Sequence, residues 1–181
     1  MFDKNPFATM TATKGASIAG VSMATLLLLA PLAFAVPPTS ITQTGGLHFV
    51  GQPDLTVNKS SQSASLTASG EVAGAGTKAT AVLSAKAEVT QGCVNQPGHE
   101  PSGLKKTTTT VTGSQSFDTR SGRGTFSVTT DSITAPSGGF TCPPGQKGGA
   151  VLVSVTFTEI TLTITSGPSK SLTATFPDQD P

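Results

Sequence analysis

From Ala79 to Thr90 the chain alternates between two kinds of side chain. Ala79, Ala81, Leu83, Ala85, Ala87 and Val89 take one side, while Thr80, Ser84, Lys86, Glu88 and Thr90 take the other, with Val82 the exception. A period of two over a dozen residues predicts a strand with one buried face. Similar runs recur. Leu47 to Val50 and Leu55 to Val57 predict one strand broken at Pro53, a residue that belongs at an edge or a bulge. Ala64, Leu66, Ala68, Gly70 and Val72 alternate in the next. Thr107 to Phe117 alternates through Thr109, Val111, Gly113 and Gln115, an apolar face thin enough to suggest an edge. Phe126 and Val128 share a face.

Further on, Val151, Val153, Val155 and Phe157 are expected to face one way, after which the apolar parity passes to Ile160, Leu162 and Ile164. One extra residue near Thr158-Glu159, a β-bulge, would restore the facing. Leu172, Ala174 and Phe176 close the series. Polar or glycine-rich links such as Asn58 to Ser61, Gly74-Ala75-Gly76 and Arg120 to Gly124 separate the runs. No stretch after residue 36 has a capped helical period. The pattern predicts an all-β fold: an antiparallel β-sandwich of immunoglobulin-like architecture with seven to nine short strands, a small barrel being the alternative. The buried Trp of antibody domains is missing, so the resemblance is one of architecture and not of ancestry.

The first 35 residues read differently. Gly15 to Leu32 is an apolar run led by Lys4 and Lys14, and it closes on Ala33-Phe34-Ala35, the small-x-small pattern of a signal-peptidase site. This predicts a signal peptide over 1–35, an extended segment over 36–46 and a sandwich domain over 47–181. The alternative is an uncleaved anchor, since about 20 apolar residues suffice to span a bilayer. Pro31 and the Ala-x-Ala site favour cleavage. No later apolar stretch has spanning length, so the mature chain is expected to carry no membrane span and to be secreted or held at the cell surface.

Removing Lys4, Lys14 and Asp3 from eleven cations and ten anions leaves nine of each. A neutral chain has no electrostatic footprint for nucleic acid. Composition then sharpens the list of chemistries. The chain has two cysteines, Cys93 and Cys142, each expected in a long loop (Gln91 to Leu104, Ser132 to Gly149), and an exported protein with two cysteines predicts a disulfide between them. That bond would staple both loops at one end of the sandwich, making Asn95, Gln96, His99, Glu100, Phe140, Gln146 and Lys147 the candidate binding residues.

His48 and His99 lack metal-ligand spacing. No Gly-x-Ser-x-Gly elbow accompanies the many serines, and the carboxylates stand singly. No catalytic residue, metal site or cofactor is therefore predicted, and the expectation is a non-enzyme. Asn58-Lys59-Ser60 is a formal N-glycosylation acceptor, and Thr107 to Thr110 offers hydroxyls for O-glycosylation. Thr156-x-Thr158, Thr161-x-Thr163-x-Thr165 and Thr173-x-Thr175 rank hydroxyls on single strand faces. Such ranks resemble those of ice-binding proteins, although ordinary outward strand faces look alike and no fixed-period repeat is present.

Leu47 to Gly51, Ala68 to Gly74, Gly113-Ser114-Gln115, Gly122 to Thr130 and Cys142-Pro143 resemble a family of small exported microbial proteins of unknown role. The resemblance implies an exported two-cysteine β-domain and no site. Three functions are in view. The first is a non-catalytic extracellular or cell-surface module, structural or adhesive, whose partner would be a cell-surface component. A version of it is a fibre subunit that exchanges strands with its own kind, Val36 to Gly46 pairing with the edge of another copy. The second is a small-ligand or carbohydrate binder, disfavoured by the lack of Trp and Tyr platforms. The third uses the threonine rows.

Overall fold

Strands with a single apolar face need a second sheet to cover it. The computed structural model describes residues 36–94, 102–144 and 149–181, and the expected signal peptide lies outside them. The described residues contain ten strands and no helix. They are β1 (Ser40–Thr44), β2 (His48–Phe49), β3 (Asp54–Lys59), β4 (Ser63–Ala73), β5 (Lys78–Cys93), β6 (Ser102–Asp118), β7 (Gly124–Thr129), β8 (Ile133–Thr134), β9 (Ala150–Thr165) and β10 (Ser171–Thr175).

One sheet runs β1-β10-β9-β5-β6, every pair antiparallel. In the other, β4 is central. β3 pairs with Ala64 to Ser69 and β2 with Val72 and Ala73 along one side of it; β7 and β8 pair along the other. β2 and β3 are thus one strand interrupted around a buried Pro53 at the sheet edge, as expected from the sequence. The expected antiparallel β-sandwich is the fold. Its strands are not uniformly short, because β5, β6 and β9 run 16, 17 and 16 residues.

The inward faces follow the alternation. Ala79, Ala81, Leu83, Ala85, Ala87 and Val89 are all buried. Four alanines on one strand leave room for larger side chains opposite, and Leu55, Leu66, Val72, Phe126 and Val128 of the smaller sheet, with Leu47 just ahead of β2, join them in one core. The residues after Phe176 extend the cover, since Phe157 exchanges both backbone bonds with Gln179.

Two irregularities keep β9 in phase. Ser84 pairs with Thr161 but Lys86 with Thr158, so Glu159 and Ile160 together face one residue of β5. This is the bulge expected at Thr158-Glu159. Glu159 takes a left-handed backbone, φ 51°, and its carboxylate meets Lys86 Nζ at 2.5 Å. With the bulge, Val155 and Phe157 before it and Ile160, Leu162 and Ile164 after it all face the core.

The second shift corrects the sequence reading. Thr90 pairs with Ser154 and Gln91 with Leu152, so Val153 is the extra residue. Leu152 is buried, whereas Val153 is exposed and Val151 only half-buried. Neither of those two valines shares the core face with Val155.

The β6 edge turns towards the other sheet. Gly113 lies against the backbone of Thr129, where an added Cβ would overlap the carbonyl oxygen. Asp131 N donates to Thr112 O at 2.8 Å, and Ser127 N donates to Gln115 Oε1 at 2.8 Å. One side of the sandwich is therefore stitched shut, and the stitching depends on a missing side chain.

Gly113→Ala should cost roughly 3 kcal/mol, because rigid backbone rather than a movable side chain blocks the methyl group. Denaturant unfolding measures it, and a midpoint within error of the parent would contradict the close approach. At the bulge, Glu159→Gly gives up an exposed ion pair worth about 1 kcal/mol at most and releases left-handed strain of similar size. It should unfold near the parent midpoint. Glu159→Val, whose branched Cβ tolerates that backbone poorly, should lose about 1–2 kcal/mol. Equal stability of the two variants would remove the strained bulge from this account.

Candidate functional site: the disulfide-locked end and the hydroxyl face

β5 ends on Gln91, Gly92 and Cys93, all buried. Cys93 therefore closes a strand instead of sitting in a loop, a correction to the sequence reading. Its sulfur is bonded to that of Cys142, with the Cα atoms 5.7 Å apart. The expected disulfide is present and spans 49 residues of sequence.

Gln91 follows Val89 on the inward face, so its amide enters the core side of the sheet. There it grips the segment after β8 from both sides: Nε2 donates to Ser137 O at 3.1 Å, and Ser137 N donates to Oε1 at 2.7 Å. The same segment holds a cis Ala135-Pro136 bond and a tight turn in which Phe140 N donates to Ser137 O at 3.1 Å. Gly138 and Gly139, at the turn's centre, both have positive φ, which glycine adopts without strain. Ala135 N also donates to Gln62 O at 2.9 Å. Phe140, two residues before Cys142 in the sequence, is buried and so does not present a ring to solvent. The other candidates of this end (Asn95, Gln96, His99, Glu100, Gln146 and Lys147) lie outside the described residues.

Between β6 and this segment runs a groove of about 480 Å³, lined by Thr107, Thr109, Val111, Asp131, Ile133 and Ser137 among others. Its lining mixes threonine and serine hydroxyls with the apolar Val111, Ile133 and Pro136, and Asp131 is exposed. No group of three or more potential metal ligands occurs among the described residues. His48 is exposed at the start of β2, its Nδ1 3.0 Å from Gly46 O. Asn58 is exposed on β3, its Nδ2 donating to Thr67 Oγ1 at 3.0 Å. The exposed ion pairs Arg123–Glu71 (2.9 Å) and Lys78–Asp118 (3.9 Å) are surface contacts of the kind that contribute little.

A second ordered surface is the outer face of the β1-β10-β9-β5-β6 sheet. The registers align three cross-strand rows of five: Thr44, Ser171, Thr165, Thr80, Ser116; then Thr42, Thr173, Thr163, Val82, Ser114; then Ser40, Thr175, Thr161, Ser84, Thr112. Fourteen of these fifteen positions carry a hydroxyl, Val82 being the exception, and none is buried. The next pair along, Lys78 with Asp118, bounds the grid at one end. Lys86 with Glu159 bounds it at the other. The Thr-x-Thr ranks showed part of this face in the sequence; their alignment required the strand order.

Comparison with known proteins adds little to this geometry: no family model and no curated protein matches the chain. Among solved structures, a calcium-binding mutant of Bacteroides uniformis β-glucuronidase 2 is similar at a TM-score of 0.26 and 16% identity. That match covers 75% of this chain and 12% of the enzyme's, and a similarity of that size supports no inference about activity. No helix among the described residues is long and apolar enough to cross a membrane.

Gln91→Leu keeps the volume but strands two backbone groups of Ser137, which should lower stability by about 2 kcal/mol. It should also expose the 135–142 segment to protease while leaving the disulfide formed. Cutting rates equal to the parent's would exclude the clamp. Replacing both cysteines by alanine should cost roughly 4 kcal/mol for a loop of this length. Thermal unfolding with and without reductant gives the same comparison on the natural chain.

Proposed function

We propose that this chain is exported, cut after Ala35, and acts as a non-catalytic extracellular or cell-surface module, structural or adhesive. The Cys93–Cys142 bond carries the proposal: it uses both cysteines of the chain and locks the end of the longest strand pairing among the described residues. Bonds of that kind persist in oxidising compartments and are rare in a reducing cytosol. The apolar run ahead of Ala33-Phe34-Ala35 supplies the matching address. A rigid sandwich with a broad, uncharged hydroxyl face suits contact with an extended surface more than it suits a turnover site.

A strand-exchanging subunit is the second reading, favoured by one observation. All five residues of β1 are exposed, and the strand is held by backbone pairing to β10 and by the hydroxyls of Thr39 and Thr44. Within the single chain β1 covers the β10 edge itself, so exchange would require it to leave and a second copy's β1 to replace it.

Fractionating cells that make the full chain tests the first reading. The protein should be found in the medium or on the envelope, beginning at Val36, with a mass two hydrogens below the reduced value. Retention in the cytosol with both thiols free would refute it. Deleting Val36 to Gly46 should abolish any multimer seen by size-exclusion chromatography if strands exchange; an unchanged profile removes that version.

A further inference from the structure

From the outer face of the β1-β10-β9-β5-β6 sheet we infer a binding surface for ice, centred on β9 and β10. The residues that carry it are Thr161, Thr163 and Thr165 with their cross-strand partners Thr175, Thr173 and Ser171. Neighbouring strands place partner side chains about 4.8 Å apart, and alternate residues along a strand repeat at about 6.8 Å. Water oxygens on a prism face of hexagonal ice repeat at intervals close to both. The face is therefore a two-dimensional array whose two periods lie within about a tenth of those of frozen water.

The choice of residue fits the same purpose. Threonine is β-branched and stiff about χ1, so its hydroxyl and methyl are held in place before any partner arrives. Serine and threonine hydroxyls on a soluble sugar would only exchange one set of water bonds for another, a small net gain. Sugar-binding faces commonly add an aromatic platform, which this face lacks. With no charge inside the fifteen positions, the face also gives no purchase to nucleic acid or an anionic membrane. Water organised into a lattice is the partner that pre-set hydroxyls and methyls can hold without displacing their own hydration. Adjacent strands rotate by roughly 20–25°. The match is thus closest across neighbouring strands, which places the contact on β9 and its neighbours and not over all five.

The test uses the protein made from the full chain in a secreting host, with a single ice crystal observed in a supercooled droplet. The parent should hold the crystal below its melting point without growth and should facet it. Thr163→Lys together with Thr173→Lys, folded by circular dichroism, should lose both effects; if the pair does not fold, Thr163→Lys alone serves. Thr110→Lys, on the same sheet face but beyond the bulge, should keep both. A parent with no effect on ice overturns the proposal, as does a folded Thr163→Lys protein as active as the parent. Retention of the parent on insoluble chitin or cellulose, with no effect on ice, overturns it too and assigns the face to polysaccharide.

Discussion

The sandwich depends on keeping one side of β9 in oil across 16 residues. A strict alternation cannot do this here, because the apolar residues change parity between Phe157 and Ile160. Without the extra residue at Glu159, either Val155 and Phe157 or Ile160, Leu162 and Ile164 would point at water, since a slip of one flips every later side chain. The five side chains are buried together in one core. Their burial outweighs a single strained backbone at about 1–3 kcal/mol, given that each large apolar side chain contributes about 1.5–3 kcal/mol. The same bulge sets the outer face, because restoring the inward parity also returns Thr161, Thr163 and Thr165 to the side that already holds Thr156 and Thr158.

The far end of β5 works on a different principle. Apolar alternation gives way to Gln91, a glycine and Cys93, and stability passes from packing to specific bonds. A buried amide is tolerated because both its polar atoms are used by Ser137. The disulfide then fixes the segment seven residues after Ala135. Hydrogen bonds, a turn built on two glycines and a covalent link thus hold a stretch too polar to be held by a core.

Much of this could be read from the residues. The buried face of β5, the broken strand at Pro53, the edge position of β6, the bulge and the cysteine pair all leave local marks: a period, a proline, a thin apolar face, a change of parity, a count of two. What escaped was non-local. Val151 and Val153 look like core by period, and only the pairing with β5 shows Val153 as an inserted residue. Gln91 carried a usable signal, a polar residue on an inward position, but its partner lies 46 residues away. β1 falls in the extended segment expected ahead of the domain, yet it is a member of the larger sheet. The rows of hydroxyls are made by four separate pairings, and no window along the chain contains them.

The pairing of β1 with β10 joins the two ends of the described fold. Ser40 leaves the ribosome long before its partner Thr175, so β1 stays unpaired until β10 has been made. Contacts that distant in sequence form slowly and leave incomplete sheets open to wrong partners. The larger sheet therefore closes late, its first strand waiting on its latest neighbour.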